Sequence, residues 1–191
     1  MGGTFDPIHI GHLVTAAEAH SQFALDEVVF IPAGSPWMKE HAVAAPAEDR
    51  YLMTCAAVAS NPDFSVSRIE IEREGPTHTV DTLRRLLEQR GADTELFFIT
   101  GADAILELPG WKDPAEVLRL AHVIAATRPG YDISSLEEDG SGTHLAASVM
   151  MVPALAISST DIRARAREGK PIRYLVTDPV VDYIAQAGLY Q

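Results

Sequence analysis

Apolar residues recur along this chain in two alternating rhythms. LVTAAEAHSQFAL (13–25) carries them at helical spacing, and DEVVFIPAG (26–34) gathers them into a short β-rich run closed by Pro and Gly. PAEDRYLMTCAAVAS (46–60) is helical again, and FSVSRIEIER (64–73) alternates at period two, as a half-buried strand does. THTVDTLRRLLEQRG (77–91) begins with threonines suited to capping and stops at a glycine, so it predicts a third helix. TELFFITG (94–101) and AHVIAATRPG (121–130) are apolar, β-rich runs, and SVMMVPA (148–154) reads as a further buried strand. YDISSLEEDGSGTH (131–144) between them is a polar excursion, and STDIRARAREG and DPVVDYIAQAGLY are two closing helices. Short strands alternating with helices imply βαβ units. The pattern therefore predicts an α/β, Rossmann-like, doubly wound and mostly parallel sheet. Helices cover both faces, and a helical C-terminal part starts near residue 157 of one domain spanning 1–191.

Composition narrows the picture. Of 191 residues, 47% are apolar and 22% charged, which is the balance of an ordinary globular protein. No apolar run reaches the roughly 18 residues of a membrane span, so no membrane partner is expected. The one cysteine, Cys55, sits in an apolar helical run and reads as an inert thiol; cysteine usage suggests the cytoplasm. A net charge of −12 argues against a nucleic-acid surface. Phosphate handling would need a small cationic site inside an acidic shell. A homo-oligomer stays open.

In parallel α/β sheets ligands bind beyond the carboxyl ends of the strands. The turn after the first strand is therefore the place for chemistry, and here it is GGTFDPIHIGH (2–12). Gly2 and Gly3 allow close backbone approach; their amides, with those of Thr4 and Phe5, are candidates to face an anion. Phe5 is expected in the core, and Asp6-Pro7 forms a turn in which Asp6 bonds amides just ahead of it. From about Ile8 the pattern is helical, so His9 and His12 share one face and Gly11 leaves room between them. A helix N-terminus with two imidazoles suits a polyphosphate. Solvated histidines or a metal pair are the plainer alternatives, and no third ligand at metal spacing accompanies them.

The string GGTFDPIHIGH resembles the signature of nucleotidyltransferases that share an H-x-G-H element with class I aminoacyl-tRNA synthetases. ISSTDIR (157–163) is similar to their second signature, and GPTHTVDTL, TGADAILELPGW and RPGY follow in the order of the bacterial nicotinate mononucleotide adenylyltransferases. The resemblance covers essentially the whole chain, and that family normally has several apolar residues ahead of the motif, so a longer native start is expected. It implies transfer of AMP from ATP to nicotinate mononucleotide, giving nicotinic acid adenine dinucleotide and pyrophosphate in NAD biosynthesis. Attack is in line, without a covalent intermediate, and Mg²⁺ is held mainly by ATP oxygens.

The resemblance also implies roles for single residues. His9, His12 and Arg163 stabilise charge during transfer. Gly3, Thr4, Phe5, Gly11, Gly101, Asp103 and Ser159 complete the ATP site. Thr79, Trp111, Lys112, Lys39 and Arg128 hold the mononucleotide, with Trp111 stacked on the pyridine ring; the family has an aromatic where His78 stands. Read from the residues alone, Trp111 packing on its own loop and Asp103 as a helix N-cap are the competing assignments. Arg165 and Arg167 read as surface charge paired with Asp161 or Glu168. Other small nucleotidyltransferases, such as a phosphopantetheine adenylyltransferase, or a nucleotide sensor without turnover, are the alternatives.

Overall fold

The first strand, β1, is only Gly2–Gly3, and it pairs in parallel with β2 (Val28–Pro32), Gly2 facing Ile31 and Gly3 facing Pro32. In this computed structural model, which describes residues 1–35, 43–91, 93–127 and 147–191, the chain divides into two units. One holds Met1–Thr77 and Leu155–Gln191, the other His78–Ala154.

In the first unit the order is β1-β2-β3, with β3 (Phe64–Val66) parallel to β2. Parallel neighbours require crossovers. Helix α1 (Ile10–Gln22) joins β1 to β2, and α2 (Ala47–Val58) joins β2 to β3. As the middle strand, β2 buries Val28, Phe30, Ile31 and Pro32 instead of alternating. Phe30 is wholly buried, with Phe5 at 5.8 Å and Phe64 at 5.4 Å between ring centroids. Burying such a ring contributes about 1.5–3 kcal/mol. Two closing helices complete the unit: α6 (Ser159–Arg167) buries Ile162, and α7 (Asp178–Ala187) buries Val180 and Ile184 and packs on α2. A hydrogen bond of 2.7 Å from the Tyr183 hydroxyl to Asp49 reinforces that packing.

The second unit repeats the design. Strands β4 (Phe97–Gly101), β5 (His122–Thr127) and β6 (Ala147–Met151) lie parallel in that order, Ile99 facing Ile124 and Ala125 facing Val149. Helix α3 (Thr79–Arg90) precedes them and ends at Gly91, whose φ of +99° suits glycine alone. Helix α4 (Ala102–Leu106), a 3₁₀ turn at Leu108–Gly110 and α5 (Pro114–Leu120) link β4 to β5. Val80, Leu83, Leu108, Val117 and Ala121 form their shared core.

Every described pairing is parallel, so the expected Rossmann-like α/β architecture stands. Three local expectations do not. The period-two run 64–73 is a strand only to Val66; the Ser67 hydroxyl then accepts from the Ile69 amide, and the chain turns. The turn carries the Glu70 carbonyl against Gly34, where a Cβ would lie 2.1 Å from that oxygen. The strand at 148–154 is not generally buried: Met150 is, while Val149 and Met151 are exposed. Thr77 does not cap α3, because its hydroxyl donates instead to the Ser35 carbonyl. The polar segment 131–144, with Lys39, Trp37, His41 and Arg128, lies outside the described residues.

Candidate functional site: the turn between β1 and α1

The turn from Thr4 to Pro7 is held by its carbonyl groups. Arg50 donates to the Thr4 carbonyl at 2.7 Å, Arg163 to that of Asp6 at 2.8 Å, and Ser159 to that of Pro7 at 2.9 Å. The Gly3 carbonyl accepts from the Ala33 amide. Phe5 adopts a φ of +49°, which reverses the chain at a cost of about 1 kcal/mol. Its buried ring explains Gly3: a Cβ there would sit 2.8 Å from the Phe5 ring. With the carbonyls committed, the N–H edge is the side left for a ligand. Among the described residues neither the Thr4 nor the Phe5 amide donates to protein.

Asp6 departs from the expected local turn bond. Its buried carboxylate accepts from the Ala44 amide at 2.7 Å, the Ala45 amide at 3.1 Å and the Tyr190 hydroxyl at 2.7 Å. A buried carboxylate takes whichever donors the fold provides, here from 38, 39 and 184 residues away.

Helix α1 begins at Ile10 with His9 as its extended N-cap. The two imidazoles stack with centroids 3.6 Å apart, and the Phe5 edge meets the His12 ring at 5.1 Å. The His9 backbone N–H donates to His12 Nδ1 at 3.1 Å. That bond assigns the tautomer: Nδ1 accepts, so the proton of a neutral ring sits on Nε2. Burial, then the neighbouring His9, holds the His12 pKa well below the usual histidine value. His12 is therefore a neutral Nε2–H donor at pH 7. Gly11 is explained by its neighbour as well, since a Cβ would lie 3.1 Å from the His9 ring. The first helical amide, of Ile10, is spent on the Leu175 carbonyl.

Helix α6 brings the cation. Ser158 is its N-cap, its hydroxyl accepting from the Asp161 amide at 3.1 Å, which leaves Ser159 to reach Pro7. Arg163 Nη1 serves the Asp6 carbonyl, while Nη2 makes only a 3.5 Å contact with Thr160 among the described residues. Arg165 pairs with Asp161 at 2.8 Å, as its surface reading expects. His9, His12, Ser159 and Arg163 thus converge on one turn with Gly3, Thr4, Phe5 and Gly11.

In the second unit, Thr79 is the first residue of α3, and Trp111 follows the 3₁₀ turn. The Trp111 ring meets Phe98 at 5.9 Å, edge on, and packs on the core of that unit. Its indole N–H is buried and has no hydrogen-bond partner among the described residues. Lys112 is not an unengaged cation: its ammonium lies 2.8 Å from Asp81 of α3. Gly101 is the N-cap of α4, so Asp103 is not; a Cβ on Gly101 would meet nothing within 4 Å, so no protein packing demands glycine there.

Sequence reasoning missed two residues of the turn. Arg50 is 1% exposed and also donates to the Gly34 and Ala45 carbonyls. Its spacing with Met53, Thr54 and Ala57 on the buried face of α2 was a usable signal. Tyr190 carried none.

A parallel α/β unit with this turn, helix start and guanidinium has the build of a cytidylyltransferase-like nucleotide-binding protein, and the model of the Cytidylyltransferase-like family matches residues 1–165. A protein of Salinispora arenicola described as "Probable nicotinate-nucleotide adenylyltransferase" is 56% identical over 194 residues, with both chains fully covered. A Streptomyces coelicolor protein of the same description is 56% identical, covering all of this chain and 99% of its own. The chain belongs to the nicotinate-nucleotide adenylyltransferase family, as its motifs implied. Its fold is similar to that of the Plasmodium falciparum nicotinic acid mononucleotide adenylyltransferase solved with NaAD. The TM-score is 0.79 over 99% of this chain and 94% of that one, at 20% identity.

Proposed function

We propose that this protein transfers AMP from ATP to nicotinate mononucleotide, producing nicotinic acid adenine dinucleotide and pyrophosphate in NAD biosynthesis. The observation that carries the reading is the convergence of two stacked imidazoles and Arg163 on the β1–α1 turn, in a chain 56% identical to full-length relatives of that description. The mononucleotide phosphate, already an anion, attacks the α-phosphorus in line and displaces pyrophosphate, so no protein nucleophile is required. What remains is positioning and charge stabilisation. The Nε2–H of His12, the ring of His9, the amides of Thr4 and Phe5 and the outer arm of Arg163 receive phosphate oxygens. The Gly3 amide is taken by the Ile31 carbonyl in the β1–β2 ladder, so Gly3, with Ser159 and Gly11, shapes the turn.

Gly101 and Asp103 are assigned to the adenosine. Thr79, Trp111, Lys112, Lys39 and Arg128 are assigned to the mononucleotide, and the unsatisfied indole N–H supports the choice of Trp111. Lys112 would have to leave Asp81 to take part. No group of three His, Cys, Asp or Glu able to hold a metal occurs among the described residues, and the Asp6 oxygens are already committed. Magnesium is accordingly assigned to the triphosphate itself, arriving with the substrate, and no step is routed through it. No helix among the described residues is long and apolar enough to cross a membrane; with the lone Cys55, this supports the cytoplasm as the working compartment.

The test is pyrophosphate release from ATP and Mg²⁺ with nicotinate mononucleotide, nicotinamide mononucleotide or phosphopantetheine as acceptor. Nicotinate mononucleotide should exceed the others by more than tenfold, because a site built for a carboxylate leaves its donors unpaired on an amide. Release with none of them would reject the reading.

A further inference from the structure

We propose that Tyr190, the penultimate residue, is a positioning residue for nucleotide binding, acting through Asp6 to keep Arg163 available. The inference rests on the reading of the β1–α1 turn as the ATP site. Helix α7 ends at Gly188, which has a φ of +62°, and the chain doubles back so that the Leu189 amide donates to the Ile184 carbonyl. That reversal places Tyr190, itself at a φ of +64° and 8% exposed, with its hydroxyl 2.7 Å from Asp6 Oδ1. A buried aromatic in the left-handed region needs its surroundings to hold it there; the docking of α7 on α2 anchors the helix just before it, and the bond to Asp6 ties the residue itself.

The geometry says what the hydroxyl does. Asp6 is 2% exposed and lies between two cations, Arg50 and Arg163. Its Oδ2 accepts from Ala44, and its Oδ1 from Ala45 and Tyr190. With three donors already on the carboxylate, Arg163 Nη1 stands 3.8 Å from Oδ2 in a loose ion pair and makes its hydrogen bond to the Asp6 backbone carbonyl at 2.8 Å. A buried carboxylate that loses a donor seeks another, and a guanidinium at 3.8 Å is the nearest cation to take. Without the phenol, the loose 3.8 Å pair closes to a direct bond, and the outer arm of Arg163 turns from the ligand. The phenol thus supplies compensation on Oδ1 that Asp6 would otherwise draw from Arg163 at Oδ2.

The test compares wild type with Tyr190→Phe, and with Tyr190→Met as a second hydroxyl-free variant. Mg-ATP affinity is read by calorimetry without acceptor, turnover with nicotinate mononucleotide is read separately, and thermal unfolding normalises for folded protein. Each variant should weaken ATP binding by about tenfold, the scale of one lost buried hydrogen bond, with kcat falling and the KM for the mononucleotide within twofold. In an Arg163→Ala background the same substitutions should change ATP affinity less than twofold, because the residue they act through is gone. ATP affinity and kcat within twofold of wild type, or an equal loss in the Arg163→Ala background, overturns the proposal. Wild type that binds ATP but uses no pyridine mononucleotide rejects the proposed function and leaves the Tyr190 question to the affinities. Wild type that binds no ATP overturns both.

Discussion

The β1–α1 turn and the Trp111 loop are both short connections after a strand or 3₁₀ turn, yet they are held in opposite ways. At the turn, buried Arg50 of α2 and half-buried Ser159 and Arg163 of α6 bond directly to backbone carbonyls, and the neutral His12 ring is fixed by its own helix cap. At the Trp111 loop, the ties are exposed ion pairs, Lys112 with Asp81 and Arg84 with Asp113, and the indole N–H is left over. Rigid donors arranged before the substrate arrives cost no reorganisation during charge transfer, which is what a phosphoryl centre requires. Exposed pairs hold a loop loosely enough to exchange protein partners for substrate ones. The difference fits the proposed division, with electrostatic preorganisation at the turn and adaptable acceptor recognition at the loop.

Removing the turn's internal clamp should have the largest effect. Arg50→Met strips the Thr4, Gly34 and Ala45 carbonyls of their donor and leaves Asp6 without one of its cations. A loss of about 3–5 kcal/mol of stability in chemical denaturation is expected, with activity falling as the turn relaxes. A loss under 1 kcal/mol would show that the clamp is incidental. His12→Ala comes next: kcat should drop by about 10²–10³, the scale of one lost oxyanion donor, while chemical denaturation shows a far smaller loss than for Arg50→Met. Wild-type turnover in that variant removes His12 from the mechanism.

The His12 environment also has a pH signature. Its folded pKa lies below the ordinary value of 6.5, so the unfolded chain binds the proton first as pH falls. Stability should therefore decline below about pH 6.5 down to the lowered pKa, where the slope levels off. The decline in melting temperature between pH 7.5 and 5.5 should be smaller in His12→Gln than in wild type; identical declines would mean the ring is not held neutral.

The loop should respond more mildly. Trp111→Phe keeps the contact with Phe98 but loses the indole N–H, and it should raise the KM for nicotinate mononucleotide several-fold while leaving ATP affinity unchanged. A change in ATP affinity instead would break the division between the two regions. Lys112→Ala should be smallest, costing at most about 1 kcal/mol because exposed ion pairs contribute little. A measured cost well above that would mean the loop is clamped as firmly as the turn.

The elements carrying these regions were readable in advance where a local rule decides. The alternation of apolar runs located α1, β2, α2, α3, β4 and β5 closely, since amphipathic period and Gly or Pro punctuation act over a few residues. The motif string identified His9, His12, Ser159 and Arg163, and these do meet at one turn. Residues 67–73 misled because alternation describes burial, not pairing; the chain turns there once Ser67 takes the Ile69 amide and the Glu70 carbonyl reaches Gly34. Asp6 was assigned to local amides because its real partners come from far along the chain, and no window contains both ends of such a bond.

By itself, then, the amino-acid order determined the alternating α/β plan, the family and the residue types at the β1–α1 turn, because each is written in short-range period, punctuation or motif. Tertiary structure alone decided that Arg50 grips the turn, that Asp6 is filled by Ala44, Ala45 and Tyr190, and that His12 is a neutral donor on Nε2. Those outcomes depend on which buried polar groups are brought within hydrogen-bond reach. Burial then sets a strong penalty on leaving any of them unmatched.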